Sequence, residues 1–189
     1  IIVPSLVAVR LREATAPEEG HTLRGLFADI GGLLSTRQTW LGLVFILSPV
    51  SSAAVGNLIS GLGPDYKASA SEVTWVSGIA AGILSAMGSL LGGWACDRID
   101  KRLAYALAGP LAAIFGAYLA FAPKTPQTFA WGYSGYSLAA GFGYAVFTAL
   151  VLDLIGSKRH GAATAYSFLV AGGNVPILYM TWLDGVAYK

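Results

Sequence analysis

Charge is scarce in this chain. Only 12% of its 189 residues are Asp, Glu, Lys or Arg, about half the share found in soluble domains. A water-soluble globule needs that charge to solvate its surface, so a soluble enzyme is excluded. Cysteine is almost missing: Cys96 stands alone, which excludes a disulfide scaffold. Histidine occurs only as His21 and His160. No metal-ligand spacing, phosphate-binding glycine loop or pair of catalytic carboxylates is present, so neither a metal nor a cofactor is expected. The net charge of +2 comes without any basic run, which excludes a nucleic-acid partner.

Apolar residues are abundant instead. They make up 55% of the chain, and the mean hydropathy is +0.62. The 24 glycines lie inside apolar runs rather than in polar tracts, so they do not signal disorder. Five stretches contain no Asp, Glu, Lys, Arg or His: 39–61, 73–95, 103–122, 129–152 and 161–183. At 1.5 Å per residue each reaches about 30–36 Å, the thickness of a bilayer core. Backbone polar groups in lipid must be satisfied within the segment, which makes helices the default. No ten-residue segments of alternating polarity suggest a β-barrel. The sequence thus predicts an all-α polytopic membrane protein.

The ends and the linker follow. The apolar run 1–9 is too short to span and lacks a charged flank, so it reads as the tail of a truncated transmembrane helix. Residues 10–38 read as a cytoplasmic linker. Within it, 22–35 reads as an amphipathic helix, because Leu23, Leu26, Phe27, Ile30, Leu33 and Leu34 recur at helical spacing. That helix either lies along the membrane between two bundles or packs on its own cytoplasmic loops. Residues 39–189 form the C-terminal transmembrane bundle.

Basic residues set the orientation. Nine of the twelve Lys and Arg residues fall in the linker and the loops after the second and fourth spans. The other loops and the C-terminal end hold only Lys67, Lys124 and Lys189. The positive-inside rule places the basic loops in the cytoplasm.

The second span ends Gly92-Gly93-Trp94-Ala95-Cys96-Asp97-Arg98-Ile99-Asp100-Lys101-Arg102. Gly93, Asp97, Arg98, Lys101 and Arg102 resemble the loop signature of the major facilitator superfamily. Ala95 stands where that signature has Leu, and Asp100 where it has Gly. The resemblance implies a partial six-helix bundle: the end of helix six, then helices seven to eleven, with the linker between the two halves. It implies a secondary transporter that moves a small solute by alternating access, with a missing N-terminal bundle as partner. It further implies residence in the plasma membrane and a gating role for the signature loop, in which Asp97 either faces a helix N-terminus or pairs with Arg98, Lys158 or Arg159.

Polar faces mark the candidate pathway. Tyr133, Ser137, Tyr144 and Thr148 share an arc of the fourth span. Ser167, Asn174 and Thr181 repeat every seven residues on the fifth, and Asn57 lies on the first. In lipid such faces turn toward protein or a water-filled cavity. Trp131 and Tyr136 read as an outer aromatic belt. Gly78, Gly82, Ser85, Ser89 and Gly93 read as a helix-packing stripe. A channel or a structural subunit is the alternative class. A remote one is an intramembrane protease, because Gly132-Tyr133-Ser134-Gly135 resembles the Gly-any-Ser-Gly of rhomboids. Both histidines fall in cytoplasmic loops, about 30 Å from the outer position of Ser134, so a serine–histidine pair is not expected.

The topology is checked by single cysteines placed at Lys124 and Lys158 in a Cys96→Ser background. An impermeant maleimide is expected to label them from opposite sides. Labelling from one side contradicts it.

Overall fold

The structure, a computed structural model, describes residues 23–51, 56, 60–156 and 161–187. Every regular element among them is helical. In order they are α1 (Leu23–Leu34), α2 (Arg37–Ile46), a 3-10 turn (Pro49–Ser51) and a 3-10 helix (Ser60–Tyr66). Then come α3 (Ala70–Cys96), α4 (Lys101–Phe121), α5 (Pro126–Ile155) and α6 (Ala162–Ala187). Of these, α3, α4 and α5 are long and apolar enough to cross a membrane.

The helix ends have local causes. Thr36 begins α2, its hydroxyl accepting from the Thr39 N–H at 3.3 Å. Ser69 and Glu72 form a reciprocal capping box at the start of α3. Thr125 caps α5 and Pro126 follows at the first turn, where its missing N–H costs nothing. Residues Trp75–Ala80 widen into a π-helical turn within α3.

The apolar stretch 39–61 is not one helix. Its helix ends at Ile46, because Pro49 has no N–H to give the Phe45 carbonyl and disfavours a helical Ser48. The freed carbonyls find other donors. The Ser48 hydroxyl donates to Phe45 O at 2.6 Å, and the Tyr179 hydroxyl of α6 donates to Leu47 O at 2.8 Å. The break therefore leaves these carbonyls with partners inside the bundle.

α5 is the central helix, with α3 on one side and α4 on another. A Cβ on Gly88 would overlap the Leu138 carbonyl, one on Gly141 would overlap the Ser85 backbone, and one on Gly92 would lie 2.7 Å from Phe142 O. The two backbones are therefore in contact. Ser89 bridges them, its hydroxyl 3.0 Å from both Ser85 O and Gly141 O. The stripe expected from the sequence needs correction: Gly78, Gly82 and Gly93 meet nothing within 4 Å. Ser85 and Ser89 do face α5, but their partners in the contact are Gly88 and Gly92.

Toward α4, Gly132 and Gly135 receive Leu119 and Phe115. Tyr66 closes the outer end there, donating to Leu119 O at 2.7 Å and packing on Phe129. Burial, and secondarily the Asp65 carboxylate, push the Tyr66 phenol above its ordinary range, so it keeps the proton it donates. At the other end α1 rests on its own bundle: Leu33 is fully buried with Ile46, Val151 and Leu169. Phe27 on the same helix is 74% exposed. Gly161 opens α6 at φ +72°, and a Cβ there would also overlap the Asp29 carboxylate of α1.

The glycine contact makes a clear prediction. Gly141→Ala is expected to lower stability by about 1–3 kcal/mol, the usual cost of overpacking, and to lower the thermal midpoint in detergent. Gly82→Ala, in open space, is expected to leave the midpoint unchanged or raise it.

Candidate functional site

At 100° per residue, Tyr133, Tyr136, Ser137, Ala140, Tyr144 and Thr148 fall along one side of α5. Two hollows open on that side. The outer one, about 290 Å³, is lined by Tyr133, Tyr136, Ser137 and Tyr144 of α5, with Gly56 and with Ala81 and Ser85 of α3. The inner one, about 200 Å³, lies between Tyr144, Phe147 and Thr148 of α5 and Tyr166, Asn174 and Ile177 of α6. Tyr144 belongs to both and is 52% exposed. Together they make a groove that Tyr144 divides.

The groove is polar without being charged. None of its lining residues is Asp, Glu, Lys, Arg or His. The Ser137 hydroxyl donates to Tyr133 O at 2.8 Å, and the Thr148 hydroxyl donates to Tyr144 O at 2.9 Å. Their protons are committed to their own helix, so both hydroxyls face the groove as acceptors. The Tyr144 phenol and the Asn174 amide can donate as well as accept.

Of the residues singled out from the sequence, Tyr133, Ser137, Tyr144, Thr148 and Asn174 line the groove, while Ser167 is exposed and does not. Asn57 lies outside the described residues. Tyr136 is a correction. It is not in an outer belt with Trp131, which is 72% exposed, but 7% exposed against Gly56. Its place at i+3 from Tyr133 was the available signal. Phe147, Tyr166 and Ile177 were also missed, since apolar and aromatic residues in an apolar span carry no contrast.

The signature loop has its own geometry. Asp97 ends α3, with its N–H donating to Gly93 O at 3.2 Å. Arg98 places its guanidinium 4.2 Å from the centre of the Trp94 ring, a cation–π contact. Asp100 begins α4, its carboxylate accepting from the N–H groups of Arg102 at 2.9 Å and Leu103 at 3.3 Å. Its φ of −56° is ordinary for any residue, so where the signature has Gly this chain has a helix cap. Among the described residues the ion pair at this end joins Lys101 to Asp153 of α5 at 2.6 Å, both partly exposed. Arg102 shares a small hollow with that pair and Cys96. Gly93 itself faces open space. Lys158 and Arg159 lie outside the described residues.

Three helices of lipid length, with a polar groove on one side, make this an integral membrane bundle. The profile of the Major Facilitator Superfamily matches residues 41–181, and the chain belongs to that family. It is therefore an integral membrane protein of a family of transporters that handle small solutes. No curated protein and no solved structure matches it.

The cap assignment separates two roles in the loop. Asp100→Ala is expected to cost about 0.5–2 kcal/mol and Asp100→Gly only a few tenths. Lys101→Ala, which removes an exposed pair, is expected to cost less than about 1 kcal/mol. Thermal unfolding in detergent checks the order.

Proposed function

We propose that this chain forms the second bundle of a secondary carrier, moving a small solute by alternating access against an N-terminal bundle. The observation that carries the reading is the groove. Hydroxyl and amide groups from α5 and α6 face one uncharged channel-like surface beside the family's span pattern. Polar groups at that depth are expensive unless they meet water, solute or another helix. Carriers of this kind bind their solute near the midplane between bundles. Tyr133, Ser137, Tyr144, Thr148 and Asn174 are the pathway residues in this reading, with Asn57 and Ser167 as further candidates on the same spans. The stretches 39–61 and 161–183 complete five crossings, and the basic loops face the cytoplasm of a cell whose plasma membrane holds the protein.

In the same reading the loop of Gly93, Asp97, Arg98, Lys101 and Arg102 latches the cytoplasmic side. The Lys101–Asp153 pair supports this, because it ties the start of α4 to the end of α5 across 52 residues of sequence. A carboxylate at a latch also favours the positive end of any helix that approaches it. The carrier itself performs no covalent chemistry.

The test uses the full-length protein in proteoliposomes and a panel of labelled neutral solutes. Saturable uptake with counterflow supports a carrier, and linear flux without counterflow indicates a channel instead. Tyr144→Ala and Asn174→Ala are each expected to lower kcat/KM about tenfold, the worth of one hydrogen bond to solute. Trp131→Ala, on the lipid side of α5, is expected to leave it unchanged.

A further inference from the structure

Two faces of α3 are built in different ways. Ser85, Gly88, Ser89 and Gly92 meet α5 across close backbones. At 100° per residue, Met87, Leu90, Leu91 and Trp94 lie on the opposite side of the helix. All four are exposed, Leu90 to 75%, and a hollow of about 400 Å³ lies between them. Helices in lipid associate through small residues that let backbones approach, as the α5 side does. The Met87 side has the reverse character, long side chains standing apart with a slot between them. That slot fits a flexible chain better than a second helix, and the unbranched thioether of Met87 adapts to one. From Met87 to Trp94 it runs about 10 Å along α3, a helix long and apolar enough to cross the membrane.

The loop end of the slot carries a cation. Trp94 lies two residues before the end of α3, at the depth where indole rings meet headgroups. Arg98 sets its guanidinium 4.2 Å from the centre of that ring. A ring face covers the flat of a guanidinium and leaves its N–H fork free. Of the neighbouring carboxylates, Asp100 accepts from the Arg102 and Leu103 N–H groups and Asp153 accepts from Lys101. Among the described residues neither they nor Asp97 forms an ion pair with Arg98. A guanidinium with free donors and no carboxylate suits a phosphate of net negative charge. A zwitterionic headgroup suits it less, because it brings its own ammonium to the phosphate.

We propose that the slot of Met87, Leu90, Leu91 and Trp94, with Arg98 at its mouth, binds an anionic phospholipid of the leaflet beside the signature loop. One acyl chain lies in the slot, and the headgroup phosphate accepts from the Arg98 N–H groups. The site is on the far side of α3 from α5, so it does not rest on the solute-pathway reading.

The full-length protein in phosphatidylcholine vesicles with a minority of phosphatidylglycerol tests this. One set carries bromine on the phosphatidylglycerol chains, where it quenches any tryptophan it touches. A matched set carries it on the same amount of phosphatidylcholine. The Trp94 signal is read as wild type minus Trp94→Phe. Phosphatidylglycerol is expected to occupy the slot about fivefold more readily, the preference that one cation gives near an anionic lipid. Arg98→Gln is expected to abolish that preference and Arg98→Lys to keep part of it. Equal quenching by both lipids overturns the proposal. So does a preference that survives Arg98→Gln, which reports only accumulation at a basic surface. Quenching by neither lipid also overturns it, because protein then covers this face. If Trp94→Phe does not fold, native mass spectrometry decides. A phosphatidylglycerol retained through delipidation by the wild type and lost in Arg98→Gln supports the site, and retention in both or in neither overturns it.

Discussion

The α3 and α5 backbones touch because Gly88, Gly92 and Gly141 put no Cβ between them. In lipid no hydrophobic force draws two helices together, so close approach and the contacts it permits must supply the association. Ser89 adds a hydrogen bond across the seam. With α3 seated there and α4 fitted to Gly132 and Gly135, α5 is held on two sides. The third side carries Tyr133, Tyr136, Ser137 and Tyr144, and the described residues cover it only in part. The groove is thus what remains when the other faces of a central helix are filled.

The end that carries the signature loop is built on different terms. Asp100 spends its carboxylate on the N-terminus of α4, Arg98 lies on Trp94, and Lys101 reaches Asp153. These contacts are exposed, and the Lys101–Asp153 pair is individually weak. They suit a surface that opens and closes. The interior contacts among Tyr105, Phe45 and Phe147 are instead tightly packed aromatic edges and tilted faces, which suits a body that moves as one piece.

Much of this was legible in the sequence, for reasons that differ by residue. The three helices α3, α4 and α5 read easily because charge is excluded from hydrocarbon. The groove face of α5 read well because Tyr133, Ser137, Tyr144 and Thr148 are polar against an apolar background at helical spacing. Ser167 lies off the hollow: Tyr166, Val170, Gly173 and Ile177 centre the α6 face, Asn174 sits at its edge, and Ser167 falls about 20° beyond it. The seam misled, since five glycines and four serines on one helix offer several stripes and only the partner helix selects one. Lys101–Asp153 and Tyr179 on Leu47 O both join residues far apart in sequence, where no local pattern exists to read.

The seam is the premise for the groove, and solid-state NMR of the full-length protein in lipid tests it most directly. With glycine Cα and leucine carbonyl carbons labelled, the account predicts a through-space cross-peak between Gly88 and Leu138. Its absence, with the same labels reporting ordinary helical shifts for both residues, would mean that α3 and α5 do not meet there and would contradict the architecture drawn from them.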